Sequence, residues 1–334
     1  MERYLISSGN YGFALSQLEV ISGGTNVVLN KTVSYLDTIE SFGWGAAGLT
    51  DGAGFVGCDY GRRIRREFAV QPGLKRAIAH VSGLGQYELS VNGTKIGSDL
   101  ISPGWSAYGK TVLYDTRDIT AQLQAGTNNA IGLILGNGMY NIGSGFSNYR
   151  YVKFTQSFGP LRAIVQVQLD YTNGTTQIIG SDASWQAGPG AITFENVFAG
   201  EDYDARLEPT GWSQRGFTNA QWTVAVLTNG PGGTLKGLSC AAPPIGKHDV
   251  FTPISTNTLS SNTKMYDLGQ NASVMPHLQV SGPAGSYVRI IPSELLAANG
   301  FVDRTSCTQD GVRPAWWQYT LSGSGTAEIG RAHV

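Results

Sequence analysis

The sequence has 334 residues, more than one hydrophobic core usually serves, so we expect two or three domains. A net charge of −1, only 14% charged residues and no apolar run of about 20 residues give no basis for a nucleic-acid or membrane partner. Three widely spaced cysteines exclude a disulfide scaffold, whereas 45 glycines, nearly twice the usual share of ~7%, favour a β-rich protein with many turns.

Helical periodicity is nearly absent from the chain, and we predict an all-β fold. Two short fragments, residues 119–123 and residues 293–298, are the exceptions that predict helical turns. The basic run at residues 62–66 precedes the strand-like residues 67–70. We interpret this run as the solvated start of a strand.

The next part of the chain predicts paired strands. Residues 77–82 and 86–91 alternate apolar and polar side chains, as a half-buried strand does. Asn92-Gly93 follows them and predicts a type I′ hairpin turn, because both residue types tolerate a positive φ. Residues 130–135 form a short apolar strand bounded by Asn and Gly.

The remaining strand signals follow the same pattern of alternation and turns. Further strands are predicted at residues 162–171, 176–180, 271–280, 286–292 and 316–321. Asn173-Gly174 predicts a hairpin between the first two of these strands, and Gly-Pro-Ala-Gly at residues 282–285 predicts one between the next two.

Two breaks in the pattern suggest domain boundaries. Residues 51–59 are rich in glycine, and the adjacent prolines Pro243 and Pro244 forbid regular strand pairing. We therefore predict four segments along the chain, at residues 1–53, 54–242, 243–328 and 329–334.

Five sequence blocks, in order along the chain, carry a family resemblance. They are YELSVNGTKIG at residues 87–97, SPGWSAYGKTVLYDTRDIT at 102–120, NNAIGLILGNGMYN at 128–141, GEDYDAR at 200–206 and YDLGQN at 266–271. Together they resemble the N-terminal part of bacterial-type α-L-rhamnosidases, glycoside hydrolase family 78. After the last block this chain has Ser-Val-Met-Pro, where the family pattern has a Gly-Trp type continuation.

The resemblance implies two antiparallel, jelly-roll-like β-sandwich domains. These are the rhamnosidase N-terminal domain at residues 54–242 and a truncated concanavalin-like domain at residues 243–328. Residues 13–52 resemble part of a discoidin-like, galactose-binding-like module, so residues 1–53 are expected to form a partial copy of it. Residues 329–334, IGRAHV, resemble the translation of a sequencing adapter and are expected to be an artefact.

The family resemblance also implies a reaction, the hydrolysis of terminal α-L-rhamnosyl units with inversion. Inverting enzymes need two carboxyl groups about 6.5–9.5 Å apart, one as acid and one as base. The resemblance places both in an (α/α)6 barrel, and this chain has no run of helices that could build one. We therefore assign no catalytic residue and expect the missing catalytic domain as a partner. An extracellular or periplasmic location is implied rather than a cytoplasmic one.

Five residues near the sandwich turns are candidates for holding a sugar. They are Trp105, Tyr108, Asn137, Tyr140 and Asn141. Aromatic rings pack against the C–H face of a sugar, and amides meet its hydroxyl groups. Some family members bind rhamnose on this domain with calcium, so a rhamnose-containing glycan or glycoside is the expected ligand. The alternative is that Trp105 is a buried indole that fills the end of the sandwich.

Three carboxylates, Glu201, Asp202 and Asp204, lie within four residues and are candidate calcium ligands through their oxygen atoms. A sugar or a neighbouring domain could also contact them. The alternative is a local pair between Asp204 and Arg206 that fixes the return of the chain.

Three functions remain open from the sequence. The chain is the front part of a hydrolase and inactive alone, a free-standing lectin-like module, or a structural β-sandwich without a sugar site. The adapter-like end favours the first of these. A rhamnosidase assay and a sugar titration distinguish them.

Overall fold

The computed structural model describes residues 2–7, 10–14, 21–22, 25–26, 61–142, 150–151, 157–238, 244–305, 308–309 and 313–329. The chain divides into two compact units, Met1–Gly57 and Cys58–Val334. The discoidin-like stretch at residues 13–52 lies almost entirely outside the described residues, as do the three cysteines and residues 330–334.

Two antiparallel pairs of strands are described in the first unit. Strand β1 (Glu2–Ser7) pairs with β2 (Asn10–Ala14), and β3 (Ile21–Ser22) pairs with β4 (Thr25–Asn26). The predicted boundary at residue 53 stays a prediction.

The second unit begins with a β-sandwich. The strands of this region, all of them in the sandwich except β14 and β15, are β5 (Arg62–Val70), β6 (Leu74–Leu84), β7 (Gln86–Val91), β8 (Thr94–Ile96), β9 (Thr111–Asp118), β10 (Thr127–Gly136), β11 (Arg162–Tyr171), β12 (Thr176–Gly180), β13 (Gln186–Pro189), β14 (Ile192–Asn196), β15 (Gly200–Asp204), β16 (Thr223–Val224) and β17 (Thr234–Gly237). One sheet has the order β16-β13-β5-β10-β7-β8 and the other β12-β11-β6-β9-β17. All these pairs are antiparallel except β17 with β9.

The sandwich core follows from the alternation of the strands. On β7, Tyr87, Leu89 and Val91 face the interior, while the residues between them face outward. The corresponding residues of β11, from Val165 to Leu169, meet them from the other sheet within one apolar cluster. Burial of one face of each strand therefore holds the two sheets together.

The predicted strands and turn of this sandwich are confirmed. Residues 77–82, 86–91, 130–135, 162–171 and 176–180 lie within β6, β7, β10, β11 and β12. Asn92 has φ 48° and Gly93 has φ 84°, and the two close the hairpin between β7 and β8. The predicted turn at residues 119–123 is a single 3₁₀ turn, Thr120–Gln122.

The basic run at the start of β5 is not solvated, so that prediction is wrong. Arg63 and Arg65 are each only 3% exposed. The loop after β15 folds over the outer face of the sheet and places Trp212 and Phe217 against the two guanidinium groups, at 5.2 and 5.4 Å. Glu208 accepts a hydrogen bond from Arg63 at 2.6 Å.

The last part of the chain is built of short strands. They are β18 (Ser255–Ser260), β19 (Thr263–Asp267), β20 (Leu278–Val280), β21 (Tyr287–Ile290), β22 (Leu295–Leu296), β23 (Val302–Asp303), β24 (Thr308–Gln309), β25 (Arg313–Pro314), β26 (Trp317–Thr320) and β27 (Ala327–Ile329). The predicted last strand at residues 316–321 is confirmed by β26. Strand β27 ends at Ile329, which is the first residue of the segment 329–334 that the sequence predicts to be an artefact.

Three predictions fail in this part. Of the predicted strand at residues 271–280, only Leu278–Val280 is a strand, β20. Residues 293–298 are not helical, because β22 pairs with β23 as a hairpin. Residues 282–285 do turn, with Gly285 at φ 82°, but the strands on either side do not pair with each other. Strand β20 pairs with β27, and β21 pairs with β26. The partners of β20 and β21 are thus C-terminal strands. The sequence of the local turn cannot specify pairing with strands so far along the chain.

One sheet crosses the predicted boundary at residues 242–243. Its order is β14-β15-β26-β21, and β15 runs parallel to β26 with Asp202 opposite Gln318. Strands from both sides of residues 242–243 therefore share one hydrogen-bonded ladder. The boundary between the two segments stays a prediction. In the described parts of the chain, no helix has the length and apolar character that crossing a bilayer requires.

Candidate functional site

Trp105 lies on the loop between β8 and β9 and is 65% exposed. A Cβ built on its neighbour Gly104 would meet nothing within 4 Å, so this part of the loop projects from the sandwich. The alternative prediction, a buried indole that fills the end of the sandwich, is therefore wrong. The ring of Trp105 is open to a ligand.

Tyr108 and Tyr140 lie beneath the same end of the sandwich, 4% and 0% exposed. Their rings meet edge to face, with centroids 5.1 Å apart, and belong to one apolar cluster with Leu84 and Val112. Phe158 covers both rings, stacked on Tyr140 at 5.8 Å and edge-on to Tyr108 at 5.4 Å. Contacts inside the protein therefore occupy the faces of both tyrosine rings.

Asn137 and Asn141 are also buried, 2% and 3% exposed, and their amides bond within the protein. The backbone N–H of Asn137 donates to Oε1 of Glu195 at 2.7 Å, and Asn141 donates through Nδ2 to Oδ1 of Asn137 at 3.0 Å. Ser157 donates to the Asn141 amide oxygen at 2.6 Å. These bonds join the turn after β10 to the strand β14 and to the segment before β11.

The structure thus brings four of the five predicted sugar-binding residues together, but as a buried network, and it separates Trp105 from them. It adds one exposed aromatic residue that the sequence reasoning missed. Phe158 is 42% exposed and lies in the turn Ser-Phe-Gly-Pro, which has no distinguishing sequence signal.

The local pair between Asp204 and Arg206 is confirmed. Asp204 Oδ1 accepts hydrogen bonds from the Arg206 backbone N–H at 3.0 Å and from Nε at 2.9 Å, and Oδ2 accepts from Nη2 at 2.6 Å. The carboxylate caps the 3₁₀ turn Ala205–Leu207 that ends β15. These bonds to Arg206 lower the pKa of Asp204.

The other two carboxylates of the acidic cluster point in different directions. Asp202 forms an ion pair with the buried Arg150. Glu201 precedes it on β15 and therefore faces the opposite side of the strand. Among the described residues, no group of three or more His, Cys, Asp and Glu side chains is placed to hold a metal ion. Glu201, Asp202 and Asp204 thus do not fit a calcium site.

Burial raises the pKa of Glu201 well above the usual range, and the nearby carboxylates of Glu195, Glu88 and Asp202 raise it further. A raised carboxyl pKa is typical of a general acid. Glu195 stands directly opposite Glu201 in the β14–β15 ladder, where facing Cβ atoms lie about 5 Å apart. Directly paired residues lie on the same face of a sheet, whereas the two carboxyl groups of a glycosidase flank the scissile bond from opposite sides.

Two family models match the chain. The model described as the α-L-rhamnosidase N-terminal domain matches residues 73–249, and the bacterial α-L-rhamnosidase concanavalin-like domain matches residues 257–333. Among curated proteins, an α-L-rhamnosidase of Formosa agariphila is 31% identical over 266 residues, which is 78% of this chain and 27% of the relative. The chain thus spans about a quarter of the length of that relative.

Solved structures agree with these matches. The α-L-rhamnosidase of Dictyoglumus thermophilum superposes with a TM-score of 0.72 at 31% identity, over 81% of this chain and 29% of that one. The Streptomyces avermitilis α-L-rhamnosidase complexed with L-rhamnose superposes with a TM-score of 0.74 at 26% identity, over 86% of this chain and 26% of that one. By both its sequence and its all-β fold, the chain belongs to the bacterial α-L-rhamnosidase family.

Proposed function

We propose that this chain forms the ancillary β-sandwich domains of an α-L-rhamnosidase. The whole protein would hydrolyse terminal α-L-rhamnosyl units with inversion, through two carboxyl groups on opposite sides of the scissile bond. The observation that carries this proposal is the ordered match of residues 73–249 and 257–333 to two successive rhamnosidase domains. The catalytic carboxyl pair would come from a further domain, because these two domains cover about a quarter of the relatives.

We further propose that the end of the first sandwich binds a rhamnose-containing glycan. The exposed ring of Trp105 supports this, since an indole offers a flat apolar surface to the C–H face of a sugar. A similar structure of the same family was solved as a complex with L-rhamnose. The buried amides of Asn137 and Asn141 would support the loops rather than contact the sugar.

An activity assay tests the first proposal. The chain is incubated with an aryl α-L-rhamnoside, and release of the aryl alcohol is followed by absorbance. We expect no release above the blank reaction. Sustained turnover by the purified chain would place the catalytic carboxylates within it and contradict the proposal.

A titration tests the second proposal. We expect L-rhamnose to bind the unaltered chain and Trp105→Ala to weaken that binding about tenfold, the loss that ~1.4 kcal/mol of ring contact predicts. Tyr266→Ala is the matched control, because Tyr266 is a 52% exposed aromatic residue on β19 and lies outside the first sandwich. Equal affinity of the Trp105→Ala variant and the unaltered chain, both folded, would reject the site.

A further inference from the structure

The segment that leads into β11 is fixed against the buried aromatic cluster. The backbone N–H of Phe158 donates to the carbonyl of Tyr140 at 3.0 Å, and the Tyr140 hydroxyl donates back to the carbonyl of Phe158 at 3.1 Å. Gly159 follows with φ 122°, a conformation that favours glycine. This turn places Arg162, the first residue of β11, at the same end of the sandwich as Tyr140.

Arg162 has fewer partners than a guanidinium group requires. Its Nη1 donates to the carbonyl of Asn229 at 2.6 Å, but its Nε is buried and has no acceptor in the part of the chain that the structure describes. No carboxylate in the described part of the chain forms an ion pair with it. Its charge is therefore uncompensated next to an aromatic cluster, whereas Arg63, on the other sheet, is paired with Glu208.

A second polar group, in the aromatic cluster that contains Tyr140, also lacks a partner. Tyr108 is 4% exposed, and its hydroxyl group has no hydrogen-bond partner among the described residues. Burial raises the pKa of Tyr108 to about 12, and the neighbouring Tyr140 adds to the shift. A buried hydroxyl without a hydrogen bond costs about 1–3 kcal/mol, so its presence needs a reason.

Arg162 and the Tyr140 hydroxyl group lie close together. A Cβ built on Gly159 would stand 3.3 Å from Nη2 of Arg162 and 3.7 Å from the Tyr140 hydroxyl oxygen. The guanidinium group of Arg162 and the hydroxyl group of Tyr140 thus both pack against Gly159. The outermost ring over this place is that of Phe158, which is 42% exposed.

We propose that Phe158 and Arg162 form a subsite for an anionic saccharide, a sugar that carries a carboxylate or a sulfate group. The ring of Phe158 carries the C–H face of the sugar, and the guanidinium group of Arg162 binds the anionic group. A planar guanidinium group donates two parallel hydrogen bonds to the two oxygen atoms of such an anion. A neutral hydroxyl group of a sugar cannot accept this pair of bonds. The inference rests on the proposed carbohydrate-binding function and names the charge of the ligand.

The test compares three probes by titration at about 20 mM and about 500 mM salt. The probes are methyl α-L-rhamnoside, a rhamnosyl-galacturonate disaccharide and a rhamnose monosulfate. We expect one or both anionic probes to bind at least about tenfold more tightly than the neutral one at low salt, and this preference to shrink at high salt. The two anionic probes separate a carboxylate ligand from a sulfate ligand.

Variants then assign the preference to Arg162. Arg162→Gln removes the charge, and we expect it to abolish the preference for anionic probes while leaving the affinity for the neutral probe within about twofold. Arg162→Lys keeps the charge and should keep a salt-dependent part of the preference. Arg76→Gln is the matched control, since Arg76 is exposed and lies opposite Asp170, at the far end of the β6–β11 ladder, roughly 27 Å away. This control should change nothing.

The outcomes separate this inference from the proposed function. Binding of the neutral probe without any preference for anionic probes overturns the inference and leaves the proposed function standing. A preference that survives in the Arg162→Gln variant also overturns it. Failure of all three probes to bind contradicts both. Loss of the preference in Arg162→Gln alone, with an unchanged circular dichroism spectrum, supports the subsite.

Discussion

The guanidinium carbon of Arg150 lies 3.8 Å from the centre of the Trp316 ring. On its other side the same carbon lies 4.0 Å from the centre of the Phe194 ring, so the cation is held between two aromatic faces. Arg150 is 1% exposed and forms an ion pair with Asp202. Trp316 belongs to the concanavalin-like region and Phe194 to the N-terminal domain, so this side chain joins the two.

We expect Arg150→Met to destabilise the protein by about 3 kcal/mol. The methionine keeps apolar contact with both rings, but it leaves the Asp202 carboxylate, partly buried, without its counter-charge. Adding Asp202→Asn should recover part of the loss, because the double variant contains no unpaired charge. Urea denaturation of the single and double variants measures both values. A single variant within 0.5 kcal/mol of the wild type, on the order of a surface change, would contradict the prediction.

The turn residue Asn92 should also be sensitive to substitution. Its side chain donates to the carbonyl of Gln122 at 2.8 Å and accepts from the backbone N–H of Ala130 at 2.9 Å, and its φ is positive. Asn92→Ala loses these bonds and strains the turn, so we expect a loss of about 2–3 kcal/mol in denaturation. Asn92→Gly relieves only the strain and should lose less. Equal losses would show that the backbone conformation contributes nothing.

The raised pKa of Glu201 predicts how stability depends on pH. The folded protein binds a proton at Glu201 more tightly than the unfolded chain does, so this residue costs stability as pH rises from the usual glutamate range, near ~4.3, toward neutral. Glu201→Gln removes that cost. We expect the variant to melt a few degrees higher than the wild type at pH 7 and equally at pH 4.

The control for the pH prediction is Glu294→Gln, because Glu294 is exposed. Its melting temperature should follow that of the wild type at every pH. A Glu201→Gln variant that is less stable than the wild type at pH 7 would mean that the ionised carboxylate makes a favourable contact.

Two phenol hydroxyls in one cluster should respond differently to removal. The Tyr108 hydroxyl has no partner within the described ranges of the chain, whereas the Tyr140 hydroxyl donates to the carbonyl of Phe158. We expect Tyr140→Phe to cost about 1 kcal/mol and Tyr108→Phe to cost nothing or to stabilise the ligand-free protein. Chemical denaturation of the two variants measures the difference. A larger loss for Tyr108→Phe would reveal an interaction of its hydroxyl that the structure lacks.

The sequence predicted the first sandwich well because alternation records which face of a strand is buried. Residues 162–171 are an example, since their pattern alone defines β11 to the residue. It failed for Arg63 and Arg65 because the rings that cover them come from a loop about 150 positions later. No local sequence pattern indicates that a distant loop will bury these side chains. The sequence alone therefore predicts that the charged run is exposed to solvent.

The candidate site was only partly predictable for a related reason. Trp105, Tyr108 and Tyr140 all lie beside Gly, Asn or Pro, and their sequence surroundings look alike. Which rings stay exposed depends on the returning segment with Phe158, which covers the two tyrosines and leaves the tryptophan open. The Arg162 Nε, which has no acceptor among the residues described, has no signature in sequence either, because the fold decides which acceptors come near it.

The parallel pairing of β15 with β26 affects how the gene can be divided. A shortened gene that stops between the two matched regions would encode β15 without the strand that covers its edge. Exposed strand edges recruit other chains, so the isolated N-terminal region should associate or precipitate where the longer chain stays dispersed. A protein that contained this domain without β26 would then require either another strand that covers the edge of β15 or charged residues along β15.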